Sequence, residues 1–500
     1  VRSINYFAPG ALEFGDGIIV SENNKYNPFD EDVVVQRRIT ENGILRPRDA
    51  DSDVDRFTLG LKGSFSEWDY DLVYSHQKSK VIETRGKQMS LRRLRAAAGD
   101  TASCEARVDG CVSLDLIGPF GSIDQDMMDY IFAHKPTSIL DNTLRFLNAN
   151  ITGEVFELPA GPVSIATGVE VRWEDASISH DVGLNTGDVA FIEQVSDTVA
   201  PTRKIEEAYI EAIVPLLKDV PFVEALEIEL AVRQSDYSDF GNTTNPKVGV
   251  RWQVTPALMA RYSYSEGFRA PTFGELYTPS SKGFVNDTDP CTTDAWSNLA
   301  GCSVKAPGDL GYTSVTGGNP DLKAEQAKSY TAGLVWTPES LVKGLSLTFD
   351  YWNIEQTNVV ATYGATRKVK ENSVNPELWA NTVIRNPNSG AIVEVRDVFE
   401  NVDRRELSGW ELETRYDLKD TATGDYRIQL GVSKLEEWVD IEIRSGEEST
   451  SDIAGLVIGG DSYPELKISG GLSWTYNNWD ASWNVSYVDD LLDGDDALLG

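Results

Sequence analysis

Residues 424–433 read Gly-Asp-Tyr-Arg-Ile-Gln-Leu-Gly-Val-Ser, which puts Tyr426, Ile428, Leu430 and Val432 on one face of an extended chain and Arg427, Gln429, Gly431 and Ser433 on the other. Side chains of a strand alternate between faces, so a period of two marks a sheet with one apolar and one polar side. The alternation recurs. Leu226, Ile228, Leu230 and Val232 interleave with Glu227, Glu229, Ala231 and Arg233, and Leu345, Leu347, Phe349 and Tyr351 interleave with Ser346, Thr348 and Asp350. Applied throughout, the pattern predicts about fourteen strands. They fall near residues 54–62, 67–78, 145–157, 161–175, 203–214, 224–237, 244–253, 257–267, 325–337, 344–357, 404–416, 424–436, 463–476 and 479–489.

The connections alternate in length. Short turns are expected at Lys62–Glu67, Pro159–Gly161, Leu216–Pro221, Thr255–Pro256, Thr337–Lys343, Asp417–Thr423 and Asn477–Asn478. Between them come long connections near 79–144, 176–202, 268–324, 358–403 and 437–462, with only Ser238–Thr243 short on that side. An up-and-down antiparallel barrel puts odd connections at one end and even ones at the other, and outer-membrane barrels have short turns on one side and long loops on the other. A sandwich or propeller has no reason to segregate loop length. The expected fold is therefore all-β, an antiparallel up-and-down transmembrane barrel. Trp173, Trp252, Tyr262, Tyr264, Trp336, Tyr351, Trp474, Tyr476, Trp483 and Tyr487 lie on apolar faces near strand ends, as interfacial girdles do; ordinary β-propensity also enriches aromatics.

Composition narrows the classes. At 41% hydrophobic and a mean hydropathy of −0.30, the 500 residues contain no apolar run of about 18, which excludes helical membrane spans but not barrel strands. The formal charge of −34 repels phosphate backbones and argues against nucleic-acid binding. Cys104 with Cys111, and Cys291 with Cys302, form two close pairs in polar segments. Pairing neighbours as disulfides suits an oxidising compartment. Zinc is the competing reading, against which stand the lack of Cys-x-x-Cys and the distance of His134 and His180.

Catalytic signatures are missing: no Gly-x-Ser-x-Gly, no His-Glu-x-x-His and no phosphate-cradling Gly-Lys-Ser/Thr. No Ser–His pair on adjacent strands is apparent, and His76 is expected at the surface near a strand's outer end. The chain is read as no enzyme and as needing no cofactor. Asp49, Asp51, Asp53 and Asp55 superficially resemble the start of a calcium loop, without its sixth-position glycine or its twelfth-position acid. Asp489, Asp490, Asp493, Asp495 and Asp496 form a second acidic cluster. Phe284, Trp296, Tyr312, Tyr363 and Trp379 stand in polar loop surroundings, where rings either stack on sugars and aromatic chelators or form a small hydrophobic knot.

Two segments carry a family likeness. Ser265, Gly267, Phe268, Arg269, Ala270 and Pro271 end one strand, and Asn319, Pro320, Leu322, Lys323 and Glu325 open the next. Together they resemble TonB-dependent receptors of the Gram-negative outer membrane. Tyr26-Asn27-Pro28-Phe29, Glu157–Pro162 and Ser235–Gly241 are similar to a large subgroup of these receptors. Physically, Pro271 stops ladder pairing, Gly267 lets the backbone bend, and Arg269 offers a fork to Glu325, either tying a loop base or contacting ligand directly.

The resemblance implies a barrel of about 22 strands, a globular plug and a TonB-contacting segment, of which this chain supplies part. Residues 1–53 then read as extracellular loop, 54–489 as barrel and 490–500 as the start of a further loop. It implies uptake of a scarce nutrient, a ferric siderophore or a carbohydrate or peptide. The implied partners are TonB with its inner-membrane motor, lipopolysaccharide and phospholipid, and a surface lipoprotein. The alternative is a structural or adhesive barrel without transport.

Overall fold

The computed structural model describes residues 2–5, 17–37, 39, 41, 47–190, 195–306, 310–444, 447–458 and 461–494. Its main sheet of sixteen strands is a meander of fourteen antiparallel strands, each paired with the next along the chain, with the short strands Thr198–Val199 and Glu447–Asp452 added off that path. They are β1 (Arg48–Phe65), β2 (Trp68–Arg85), β3 (Thr137–Leu158), β4 (Gly161–His180), β5 (Arg203–Val220), β6 (Val223–Tyr237) and β7 (Gly241–Thr255). The second half comprises β8 (Leu258–Arg269), β9 (Glu325–Trp336), β10 (Leu345–Ala361), β11 (Glu400–Thr421), β12 (Gly424–Arg444), β13 (Leu466–Tyr476) and β14 (Trp479–Val488). Among the described residues β1 and β14 do not pair with each other, so the sheet is open.

The two faces of this sheet differ along unbroken rows. Val214, Ile228, Val250, Tyr262, Ala332, Tyr351 and Trp410 stand opposite one another across seven strands. One residue along, Glu227, Arg251, Arg261, Gly333, Asp350 and Glu411 form the matching polar row. The apolar row has no second layer over it: Leu59 is 64% exposed, Phe349 41% and Leu430 39%. Buried apolar side chains lie instead mostly in the connections, where Leu94 and Leu114 are wholly enclosed. A water-soluble sandwich would show the reverse. A sheet that exposes its apolar face and buries its loop residues has lipid as its second layer.

Polar partners hold the other face. Arg261 on β8 reaches over β9 to Asp350 on β10, with its Nε 2.9 Å from the carboxylate. The crossing passes above Gly333, where an added Cβ would stand 1.9 Å from Asp350 Oδ1. Lys247–Glu229, Arg405–Asp440 and Arg427–Asp417 are ion pairs between directly neighbouring strands.

Every strand foreseen from alternation is present, and several run further. β1 begins at Arg48, β2 continues to Arg85 and β4 to His180. The added residues lie at the long-loop end, beyond any lipid, where no apolar face is required and hydropathy carries no signal. Asp49–Asp55 accordingly forms ladder with β2 and no cation loop. At the other end β5 runs through Lys218 and Asp219 to Val220, and β11 through Lys419 and Asp420 to Thr421. The turns there shrink to Pro221–Phe222 and Ala422–Thr423, because ladder hydrogen bonds continue after the hydrophobic pattern has ended. Asn477 takes a left-handed φ of 53° in the two-residue turn before β14.

The connections after β2, β4, β8, β10 and β12 are long, and that after β6 is only Ser238–Phe240. Antiparallel order puts all of them at one end. Both Cys pairs are bonded there, Cys104 to Cys111 and Cys291 to Cys302.

An arginine at Leu430, on the apolar face, is expected to cost barrel insertion about 2–4 kcal/mol, whereas an arginine at Gln429, on the polar face, should be tolerated. Heat-modifiable migration of membrane-extracted protein reads the difference. Equal losses at the two positions would point to a soluble sheet.

Candidate ligand-binding rim

The connections form two folded clusters above the strand ends. The first joins residues 17–37 to the β2–β3 connection, which carries α1 (Leu91–Ala98) and α2 (Gln125–Ile131). Its small sheet of Ile18–Val20 and Val33–Gln36 packs Val20, Val33 and Val35 on Leu94, Leu114 and Ile131. Asn27, in the Tyr-Asn-Pro-Phe segment, donates to Ser21 O and Glu31 O at 3.0 Å each, closing the turn between the two strands. Asn24 donates to Ala97 O at the end of α1 (3.0 Å). His134 bonds Asp181 (3.0 Å), tying this cluster to the β4–β5 connection.

The second cluster is built from the β8–β9 and β10–β11 connections, with α3 (Phe273–Tyr277) and α4 (Ala365–Val374). A four-stranded sheet runs through both connections. Ser281–Thr288 pairs with Leu310–Thr316, which pairs in parallel with Ile392–Arg396, which pairs with Val383–Arg385. Asp289 and Arg385 close a two-pronged ion pair between the connections at 2.6 and 2.9 Å. Neither connection can be a free loop.

Both family-like segments form the collar that seats this cluster on the barrel. Arg269 and Glu325 are directly opposed on β8 and β9, bonded at 2.8 and 2.6 Å. The same guanidinium holds Glu275 of α3 at 3.0 Å through two nitrogens. Glu325 also accepts the Val360 N–H (2.8 Å), so the clamp spans three strands. Glu275 completes a capping box with Thr272. Partial burial works to raise the Glu275 carboxyl, but the Arg269 and Thr272 bonds outweigh it and hold the group below its ordinary value. Asn319 donates to Phe399 O (3.0 Å), and Asn401 brackets Lys323, accepting its N–H (2.8 Å) and donating to its carbonyl (2.9 Å). The spacing of Asn319, Lys323 and Glu325 is what this collar requires.

The aromatic candidates separate. Tyr312 is buried against Ala365, Val369, Val383 and Val395. Tyr363 and Trp379 are half-buried, 4.7 Å apart between ring centres, and cover Lys368. Lys368 is fully enclosed, with its ammonium 3.0 Å from Glu400, 3.2 Å from Asp397 and 3.0 Å from Arg396 O. Trp296 is half-buried against the Cys291–Cys302 bridge and Ala306. The Phe284 backbone pairs with Thr313, and its side chain lies outside what is described. Arg269 and Glu325 thus meet, while the aromatics sit at two separate places in one cluster. Lys368 and Asn401 gave no warning in sequence, since a lysine among Arg367 and Lys370 on a short helix reads as solvated.

Two histidine expectations need correction. His76 is half-buried within β2, because that strand continues nine residues past it. Ser138 and His180 are opposed on β3 and β4 with Oγ and Nδ1 2.8 Å apart, an adjacent-strand Ser–His pair that the shorter predicted strands concealed. Its third row-mate, Glu83, lies beyond Ser138 and bonds Arg48, so no carboxylate in the row orients the imidazole. No group of three metal-ligating side chains occurs among the described residues, and Asp495 and Asp496 fall outside them.

The sequence matches the family model for the TonB-dependent receptor-like β-barrel over residues 7–498. The chain belongs to the TonB-dependent receptor family. That places it in the Gram-negative outer membrane. The siderophore receptor PirA from Acinetobacter baumannii superposes with a TM-score of 0.51 at 14% identity, covering 87% of this chain and 50% of that one. The RagAB peptide importer in its closed-closed state gives 0.49 at 10% identity, covering 89% and 48%. The alcaligin receptor FauA from Bordetella pertussis gives 0.40 at 12%, covering 88% and 59%. The receptor chain described here spans about half the length of PirA and RagAB. No curated protein matches the sequence.

Replacing Arg269 with alanine should loosen the collar by about 1–3 kcal/mol, read as faster proteolysis between 270 and 324 with the barrel intact. The Glu275 part of the clamp is full above the ordinary glutamate value and is lost as pH falls through its lowered folded value, so the wild type should show the same nicking only in acid. Lys368→Met leaves Asp397 and Glu400 without their cation and should destabilise the second cluster by roughly 3–5 kcal/mol, seen as a new low-temperature calorimetric transition.

Proposed function

We propose that this receptor imports a scarce nutrient across the outer membrane, with the long-loop end facing outward and the energy coming from TonB and its inner-membrane motor. The observation that carries the reading is the family match over nearly the whole chain. The outer face supports it, being a built, disulfide-held, ion-paired surface of the kind that a selective mouth requires.

On this reading residues 1–53 and 490–500 belong to the outer surface, and 54–489 supply barrel wall and loops. The open edges at β1 and β14 must find pairing partners, because an unpaired backbone is not tolerated in hydrocarbon, and on this reading the remaining strands of a barrel of about 22 supply them. A plug fills the lumen against the ion-paired wall. Lipopolysaccharide and phospholipid cover the apolar face, and a surface lipoprotein is a further partner of the mouth. Arg269 and Glu325 act by seating the second cluster. Trp296 at one place and Tyr363 with Trp379 at another keep half-exposed rings available to cargo, Phe284 stands on the four-stranded sheet, and Tyr312 supports Trp379 from within. The cargo is a ferric siderophore, a carbohydrate or a peptide.

Cells with and without the gene, each in energised and TonB-deficient backgrounds, should be given labelled ferric hydroxamate, ferric catecholate, maltooligosaccharide and peptide. Gene-dependent uptake of one probe that stops without TonB is expected. Surface binding of partner cells or matrix, with no uptake of any probe, would favour an adhesive barrel instead.

A further inference from the structure

The two loop clusters rise on either side of the one short connection at that end, Ser238–Phe240. One side chain links this gap to both flanks. Arg203, the first residue of β5, follows the β4–β5 connection and is only 6% exposed. Its Nε donates to Asp239 of the short turn at 2.7 Å, and its Nη2 donates to Pro271 O, where the second cluster leaves β8, also at 2.7 Å. Its plane lies 4.6 Å from the Phe273 ring, at the start of α3, and 5.8 Å from the Tyr237 ring at the end of β6. The other Asp239 oxygen is buried without a hydrogen-bond donor, so that carboxylate depends on Arg203.

We propose that Arg203 is the positioning residue that fixes the second cluster over the lumen relative to the short turn, and so sets the width of the opening between the two clusters through which cargo enters. The proposal rests on the import reading for its consequence but not for its geometry. Four demands fall on one group: a carboxylate on a turn, the Glu174 carboxylate 3.7 Å away on β4, a carbonyl on the neighbouring stem, and an aromatic ring on the helix that follows. Only a planar cation with several fixed donors satisfies them together. A lysine ammonium reaches the carboxylate but offers no plane to Phe273. Arg203 and Arg269 hold the same segment at different points, Arg269 holding α3 through Glu275 and Arg203 holding Pro271, two residues before the helix, and the Phe273 ring at its start. Removing Arg269 frees the helix at Glu275, whereas removing Arg203 frees both the stem at Pro271 and the start of the helix at Phe273.

Arg203→Lys and Asp239→Asn are made in the intact receptor and purified from membranes in detergent, and amide hydrogen exchange is followed without cargo. Leu276 and Thr278, whose amides bond Thr272 O and Gly274 O, should exchange roughly tenfold faster in both variants. The sheet inside the cluster, residues 312–316, should keep wild-type protection, and barrel migration should be unchanged. Unaltered exchange at 276 and 278 in both variants would overturn the proposal. Equal acceleration at 312–316 would overturn it too, since Arg203 would then support the cluster's fold rather than its place. In cells, the labelled probe that the wild type imports should enter more slowly or with altered preference in Arg203→Lys. Import at the wild-type rate with a loosened stem would overturn the positioning role. A wild type that imports no probe sinks the import reading and leaves the exchange result to stand alone.

Discussion

A strand in hydrocarbon has no water to satisfy its N–H and C=O groups, so every one of them must meet a neighbouring strand. The rest of this molecule follows from that constraint. Sequence neighbours pair antiparallel throughout the fourteen-strand meander, the order that short turns at one end deliver. Antiparallel order then sends every second connection to the opposite end, where length is unconstrained. One face of each strand meets lipid and must be apolar, and the other meets a watery lumen and is held by ion pairs such as Arg261–Asp350 over Gly333.

With its apolar strand faces turned to lipid, the barrel has little interior core, and the cores that exist are in the connections. The connections fold in company. Val20, Val33 and Val35 find Leu94 and Ile131 across two segments, and Leu310–Thr316 finds Ile392–Arg396 across two others. Disulfides, the Asp289–Arg385 pair and the enclosed Lys368 ammonium add the restraint that small cores lack. The collar of Arg269, Glu275, Glu325, Asn319 and Asn401 transmits that rigidity to the strand ends.

How much of this the residues announced follows the same physics. Leu430 and Gln429 alternate because lipid and water lie on opposite sides, so the transmembrane parts of the strands and the parity of the connections were readable. Asp49–Asp55 and Lys218–Asp219 belong to the ladder too, but outside the lipid slab no alternation is imposed, and they read as loop. Arg269 and Glu325 were legible because opposed residues on neighbouring strands must meet. Tyr363 and Trp379 were legible only as exposed-looking rings, since nothing in the chain reveals that Lys368 lies beneath them. Arg203 was invisible for a related reason: its partners Asp239, Pro271 and Phe273 come from two other connections.

The central claim, that the apolar strand faces contact lipid and the polar faces contact water, is tested most directly by a cysteine scan of β12 from Tyr426 to Ser433, made in a background lacking the four native cysteines. Each position is labelled in intact outer membrane with an environment-sensitive probe and challenged with lipid-borne and water-borne quenchers. The account predicts lipid quenching at 426, 428, 430 and 432 and aqueous quenching at 427, 429, 431 and 433, out of phase with one another. Aqueous quenching at both sets, or the two sets quenched alike, would contradict it.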